Sequence, residues 1–472
     1  MCGAVNVRQS LCLACALVLL AFTPIAAGAV DKPNVLLIVI DTLRADHLGV
    51  YGYTRPTSPR LDALAASGVR FANARSTSGW TAPSVASILT GFYPINHGIE
   101  LPGARLGPKT PTLALGLRTG GYQTAAYSAN PAFVSQRQGF DRGFDEFEVL
   151  RAGIADSKED ADVVVGAPTS KNLKVANAGQ VSDASLEWLS RVDTSKPFFL
   201  YLHYFDPHGG YYPPPEYAKR FGVSPDSPML TVKQHEFWSK LPGPEDLQTL
   251  KALYDGEVAF TDHEIGRVLD ALPADRPTLI VVSADHGEEF MDHGGMSHGR
   301  TLFEEELRVP LIFAGPSVKP GVVVQVPVII ADIWPTLAEM IGLPVPADID
   351  GRSLASSVRE GQEPPARTLF ADLVKANKRQ IMIHRHAVLR GSRKLLQNMT
   401  AGYDLYDLGT DPGEQHDLLP QEEERAAPLE MLLTVRESRK KNLTGWRSRP
   451  VPTVALSAQD KERMRALGYD PE

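Results

Sequence analysis

One hydroxyl, two acids and a few imidazoles in this chain have the types and spacing for chemistry on an anionic ester. Thr81 lies in Thr77-Ser78-Gly79-Trp80-Thr81-Ala82-Pro83-Ser84, which runs on through Val85 to Gly91. Pro83 fits a first helical position, where its missing N–H costs nothing. The segment therefore predicts a helix entry whose unsatisfied amides, around Thr81 and Ser84, face an anion. The same residues also suit an ordinary capped helix, so their neighbours must decide between the two.

Asn34 to Ile40 and Thr278 to Ser283 are apolar runs of strand length that stop just before Asp41 and just before Asp285-His286-Gly287-Glu288. Such runs read as buried parallel strands. In open α/β sheets the ligand crevice lies at the carboxyl ends of the strands, so Asp41, Asp285 and His286 are expected to converge although far apart in sequence. Two carboxylates and an imidazole make a site for one divalent ion, and calcium, magnesium, manganese and zinc all remain open. Either carboxylate alone would read as a helix cap after a strand. Two matching strand ends favour the metal.

Several ordered motifs carry a resemblance to the sulfatase family of the alkaline phosphatase superfamily. They are Asp41-Thr42-Leu43-Arg44-Ala45-Asp46, Ser87-Ile88-Leu89-Thr90-Gly91, His203-Tyr204-Phe205-Asp206-Pro207-His208, Ser283-Ala284-Asp285-His286-Gly287-Glu288, Thr301-Leu302-Phe303-Glu304-Glu305-Glu306-Leu307-Arg308-Val309-Pro310 and Leu405-Tyr406-Asp407-Leu408 with Asp411-Pro412-Gly413-Glu414. The resemblance implies an α/β fold: a mostly parallel sheet sandwiched by helices, then a small C-terminal α+β subdomain containing an antiparallel sheet. Boundaries are expected at residues 30–345 for the catalytic domain and 346–472 for the subdomain.

The chain also departs from that family. Sulfatases carry a Cys or Ser that becomes formylglycine, then Pro and Arg at two-residue steps; here Thr81, Pro83 and Val85 stand there. Threonine cannot make formylglycine. Thr42 stands where the family's opening acidic pair has its second aspartate, so one anionic ligand is missing. A sulfated threonine must wait for water to attack sulfur, whereas phosphorus accepts that second attack more readily. Thr81 is thus expected as nucleophile and metal ligand in an ester hydrolase for phosphate mono- or diesters or phosphonates. The alternatives are a sulfuric ester hydrolase working without formylglycine, a phosphoryl transferase on envelope lipids or glycans, and an inactive binding protein.

His208 resembles the family's substrate-contacting histidine, and His298 lies near the place where many members carry a lysine. Either imidazole can act as general acid, and together they offer the alternative of a second metal. Arg44 matches an arginine beside the first ligand, suited to the anion or to a nearby carboxylate. Tyr211, in a Pro- and aromatic-rich stretch from Gly209 to Leu247, and Arg300 are expected to touch substrate, the stretch serving as a lid. His203, His293, His263 and His47 read as solvated loop histidines without a direct role, and Arg308 as structural.

Residues 1–29 read as a cleaved signal peptide: Arg8, an apolar core from Leu11 to Phe22, and small residues at Ala27-Gly28-Ala29. Cleavage implies a secreted or periplasmic protein with no stable membrane span after processing. All three cysteines, Cys2, Cys12 and Cys15, fall in that leader, so the mature chain is expected to have no disulfide and no thiolate metal site. The net charge of −8 argues against nucleic acid and for a small-molecule, lipid or sugar ester substrate. Ile154 to Gln180 reads as an exposed insert.

Overall fold

Three apolar runs build the middle of the main sheet. The computed structural model describes residues 32–151, 175–231, 241–376, 382–397, 402–442 and 458. Asn34–Ile40 lies between Phe198–Tyr204 and Thr278–Ala284 and is parallel to both. Every residue of Asn34–Ile40 and Phe198–Tyr204 is buried, as expected of strands covered on both faces. The full order is Val322–Val324, Val69–Phe71, Leu311–Ala314, Thr278–Ala284, Asn34–Ile40, Phe198–Tyr204, Gln123–Ser128, Glu146–Val149. Leu311–Ala314 runs antiparallel to both its neighbours, and the other pairings are parallel.

This register puts the chain's chemistry on one edge. Val39 and Ile40 are level with His203 and Tyr204 on one side and with Ser283 and Ala284 on the other. Asp41 and Asp285 therefore leave adjacent strands at the same height, and His203 reaches that level within its own strand.

Thr368–Ala376, Met382–Arg390, Arg393–Gln397 and Tyr403–Asp407 form a four-stranded antiparallel sheet. A helix from Leu419–Asn442, with non-helical geometry at Glu422, closes it. Ala426, Leu429 and Leu433 recur on one helical stripe and bury against Val388, Leu395 and Leu405. Fully burying each leucine is worth roughly 1.5–3 kcal/mol, which is enough to dock a helix otherwise rich in charge. The fold is the mixed α/β architecture that the sequence pattern predicts.

Two expectations shift at their edges. The insert expected to reach Gln180 gives way earlier to a helix over Ala178–Arg191, because Asn177 caps it in a box with Gln180; residues 152–174 lie outside the described residues. In the stretch expected as a lid, Pro215–Arg220 is a short helix, and a long helix begins at Pro244. Phe237, Trp238 and the expected signal peptide lie outside the described residues.

Candidate active site

Thr81 begins the helix Thr81–Thr90, whose N-cap, Trp80, offers no side-chain cap. Pro83 is thus the third helical residue rather than the first. It is tolerated there for the same reason, since the first four helical N–H groups have no intrahelical partner. The preceding loop is fastened by hydroxyls: Ser76 Oγ meets Ser84 Oγ at 2.9 Å, Thr77 Oγ1 donates to Ser87 Oγ at 2.7 Å, and Ser78 Oγ donates to the Asp372 carbonyl at 2.7 Å. The last bond ties the loop before Thr81 to the small sheet. Gly79 is required here, since a Cβ would lie 2.2 Å from Glu306 Oε2 and 2.9 Å from the Thr301 carbonyl.

Thr81 Oγ1 lies 3.3 Å from His286 Nε2. That nitrogen also lies 3.6 Å from Asp41 Oδ1 and 3.5 Å from Asp285 Oδ2. Thr81, Asp41, Asp285 and His286 are all fully buried. The residues expected to meet across the strand ends are therefore neighbours. His286 Nδ1 is 2.9 Å from the Gly287 carbonyl, which can only accept, so Nδ1 carries the proton. In the neutral ring this leaves the Nε2 lone pair aimed at two carboxylates and a hydroxyl.

Asp41 Oδ1, Thr42 Oγ1, Asp285 Oδ2 and Glu288 Oε2 are buried without a hydrogen-bond partner among the described residues. Buried oxygens left unmatched cost about 1–3 kcal/mol each, a cost that a bound cation would relieve. Burial and then the charge of Asp41 push Asp285 up to about 6, and burial pushes Glu288 up to about 7. Asp41 goes the other way: against the upward push of burial, His203, His208 and His286 hold it well below the usual carboxylate range. One oxygen each of Asp41 and Asp285 and a nitrogen of His203 lie within 4.8 Å of one another, a possible metal site. The donor chemistry fits a divalent ion.

His203 is the residue that sequence reasoning undervalued. Its Nε2 lies 3.2 Å from Asp41 Oδ2, and its Nδ1 lies 3.1 Å from the Tyr201 hydroxyl. Asn130, unremarked in the sequence, donates from Nδ2 to the same Asp41 oxygen at 2.8 Å. Both were findable: the apolar run extends to Tyr204, and Asn130 follows the end of Gln123–Ser128, so both sit on the chemical edge of the sheet. Thr42 has φ 55°, which a β-branched residue rarely adopts. Its carbonyl accepts from Tyr254 Oη at 2.8 Å, and its N–H donates to Asp285 Oδ1 at 3.2 Å.

The two candidate acids flank this group. His298 stacks obliquely on His286 with ring centroids 4.5 Å apart, and His208 stands edge-on to His298 at 4.9 Å. Glu288 Oε1 is 2.9 Å from His298 Nδ1, fixing the ring with Nε2 away from Glu288. Burial lowers His208 to about 4, so its ring is neutral near pH 7.

The three residues expected to touch substrate have other partners. Arg44 takes the carboxylate role rather than the anion role: Nη2 pairs with Asp46 and Nη1 with Asp292, both at 2.8 Å, and Nη1 donates to the Glu288 carbonyl at 3.0 Å. Tyr211 is 3% exposed, packed edge-on to Tyr254 and tilted against Phe290, with its hydroxyl toward Glu288. It supports Glu288 instead of presenting a face to a ring. Arg300 is half-buried, and its carbonyl accepts from Arg385 on the small sheet. Among the other histidines, His47 pairs with Asp255 and His293 with Glu305, whereas His263 is exposed as expected. Arg308 donates to the Ala72 carbonyl, a structural contact.

The family model described as Sulfatase matches residues 33–343, and one described as N-sulphoglucosamine sulphohydrolase, C-terminal matches residues 292–441. A Delta 4,5-hexuronate-2-O-sulfatase of Bacteroides thetaiotaomicron is 26% identical over 442 residues, covering 84% of this chain and 87% of its own. An arylsulfatase of Clostridium perfringens is 25% identical, covering 83% and 91%. Among solved structures, a phosphonate monoester hydrolase from Silicibacter pomeroyi superposes with a TM-score of 0.69 at 24% identity, covering 87% of this chain and 96% of that one.

Proposed function

The chain belongs to the sulfatase family of ester hydrolases, and we propose that it is an exported, metal-dependent member that attacks phosphodiesters or phosphonate monoesters with the unmodified hydroxyl of Thr81. The observation that carries this reading is the 3.3 Å approach of Thr81 Oγ1 to His286 Nε2 at an uncapped helix start.

Asp41, Asp285 and His286 would hold the ion, with Thr81 beside it. When bound, that ion supplies a lowered pKa for the Thr81 hydroxyl and a clamp for a non-bridging oxygen. Thr81 Oγ1, its proton released to solvent, attacks phosphorus in line as the bond to the leaving oxygen breaks, giving a phosphothreonine and an alkoxide. His298, oriented by Glu288, gives the alkoxide a proton; then, as the neutral ring, it takes one from the water that hydrolyses the intermediate. First-turn amides of Thr81–Thr90 face the developing charge. His208, neutral near pH 7, donates a hydrogen bond to the ester. Residues 346–472 are proposed as the smaller subdomain beside this mouth.

The second reading is a sulfuric ester hydrolase working without formylglycine. What favours it is that both curated relatives above are named sulfatases. A panel of bis-aryl phosphate, aryl phosphonate, aryl phosphate and aryl sulfate, assayed with and without added divalent metal, separates the two. The first reading expects the phosphodiester or phosphonate to have the highest kcat/KM. A tenfold lead for aryl sulfate selects the second.

A further inference from the structure

We propose that Arg385, on the small antiparallel sheet, binds a second oxyanion of the substrate, a carboxylate, sulfonate or phosphate set a few bonds from the scissile ester. This rests on the proposed ester-hydrolase reading and deepens it by naming a charge that the substrate carries.

The first observation is a buried cation without an acid. Arg44, Arg75, Arg385 and Lys394 are all less than a tenth exposed. Arg44 pairs with Asp46 and Asp292, Arg75 with Glu304, and Lys394 with Glu304 and Glu414. Arg385, at 5% exposed, forms no ion pair among the described residues: Nη1 donates to the Arg300 carbonyl, and Nε is buried without a partner. Burial works against the charge of Arg385, and the charge of Glu306 favours it. Glu306, however, is committed elsewhere. Its Oε1 accepts from the Thr301 N–H at 3.1 Å and from Thr301 Oγ1 at 2.7 Å, and its Oε2 accepts from the Gly299 N–H at 3.0 Å. Burial also pushes Glu306 well above the usual carboxylate range, which favours its uncharged form. A buried charge left without an acid burdens the fold, and an anion arriving with the substrate relieves it.

The second observation is where this guanidinium lies. Arg385 is opposite Leu373 in the small sheet, and His386 is opposite Asp372. Alternation along the strand puts Arg385 on the face of Ala371, Leu373 and Ala387, which pack into the main core rather than against the closing helix. Asp372 holds the loop before Thr81: its N–H donates to the Thr77 carbonyl at 2.9 Å, and its carbonyl accepts from Ser78 Oγ at 2.7 Å. Arg385 itself holds Arg300, two residues after His298. The guanidinium thus lies where the loop leading to Thr81 meets the loop that carries His298. Its tether fixes the plane of the fork and leaves donors over, and a planar fork of N–H groups is matched to an oxyanion. Arg300, expected from the sequence to touch substrate, supplies the tether through its carbonyl.

The test is equilibrium binding to the full, metal-restored chain, read by calorimetry with product analogues that need no turnover. Propylphosphonate is compared with analogues carrying a terminal carboxylate, sulfonate or phosphate, and propanesulfonate with its terminal carboxylate analogue. The wild type is expected to bind the best charged member at least about tenfold more tightly than the plain one, and the three termini show which oxyanion is preferred. Arg385→Met is expected to shrink that ratio to within about twofold, whereas Arg385→Lys, which keeps the charge and loses the fork, retains roughly threefold. A merely structural Arg385 would weaken plain and charged ligands alike and leave the ratio standing. Should Arg385→Met fail to fold, Arg385→Lys carries the test. Equal affinity of plain and charged members in the wild type, or an undiminished ratio in the variants, overturns the inference. A contrast seen with sulfonates while phosphonates do not bind would sink the phosphorus reading and leave this one standing; phosphonates bound without contrast would do the reverse.

Discussion

Two clusters of buried charge are built on opposite rules. At the strand ends, Asp41 and Asp285 each keep an oxygen unmatched among the described residues. Along the seam with the small sheet, acids and bases match. Arg75 pairs with Glu304 at 2.8 Å, and Lys394, 1% exposed, reaches Glu304 at 3.0 Å and Glu414 at 2.8 Å. His293 pairs with Glu305 at 2.7 Å and stacks on Phe303 at 3.6 Å. Burial pushes both Asp285 and Glu304 up, yet Asp285 stays near 6 beside Asp41, whereas Arg75 and Lys394 bring Glu304 down to about 2. The seam matches acid to base; the strand ends leave carboxylate oxygens without a partner among the described residues.

The sharpest way to break that contrast is to remove the nucleophile. Thr81→Ala is expected to lower kcat about a thousandfold or more on every ester, with circular dichroism and Tm close to wild type; full turnover would make the open cluster catalytically idle. Next is removal of a seam cation. Lys394→Met leaves buried acids unpaired and is expected to cost about 3–5 kcal/mol of stability, seen in denaturant unfolding, while activity per folded molecule changes less than twofold. Asp285→Asn should behave inversely: it relieves repulsion from Asp41, so the metal-free protein unfolds no more easily than wild type, while turnover falls about a hundredfold.

These contrasts also mark what was legible beforehand. Asp41, Asp285 and His286 were visible because an apolar run ending in an acid marks a strand end, and strand ends share an edge. Thr81 was visible because its segment reads as a helix entry. His203 was not, because a lone histidine after an apolar run looks solvated until the strand is seen to extend to Tyr204. Tyr211 was misjudged for a related reason: in a Pro-rich stretch it resembles a lid residue, and its packing partners, Tyr254 and Phe290, come from distant segments. The charge partners of Arg44 and Lys394 depend on tertiary contacts that no local pattern encodes.

Smaller effects refine the picture. His298→Ala should slow esters with poor leaving groups about a hundredfold and those with good ones less than tenfold; equal losses would remove it as the proton donor. The mildest effect concerns the seam and pH. Burial opposes the charged form of His293, yet Glu305 raises it from the ordinary 6.5 to about 9. A raised histidine stabilises the fold fully below pH 6.5 and loses that contribution as pH climbs through about 9. Relative to His293→Phe, wild type should therefore hold its stability advantage at pH 6 and surrender part of it by pH 10, in matched urea titrations.

The central claim is that Thr81 becomes covalently modified. Acid-quenching the metal-restored protein during turnover of an aryl phosphonate, then mapping its peptides by fragmentation, tests this directly. The account predicts a phosphonyl group on the peptide containing Thr81, localised to that residue and absent from the matching peptide of Thr81→Ala. Steady turnover with Thr81 unmodified, or the group found on another side chain, would contradict it.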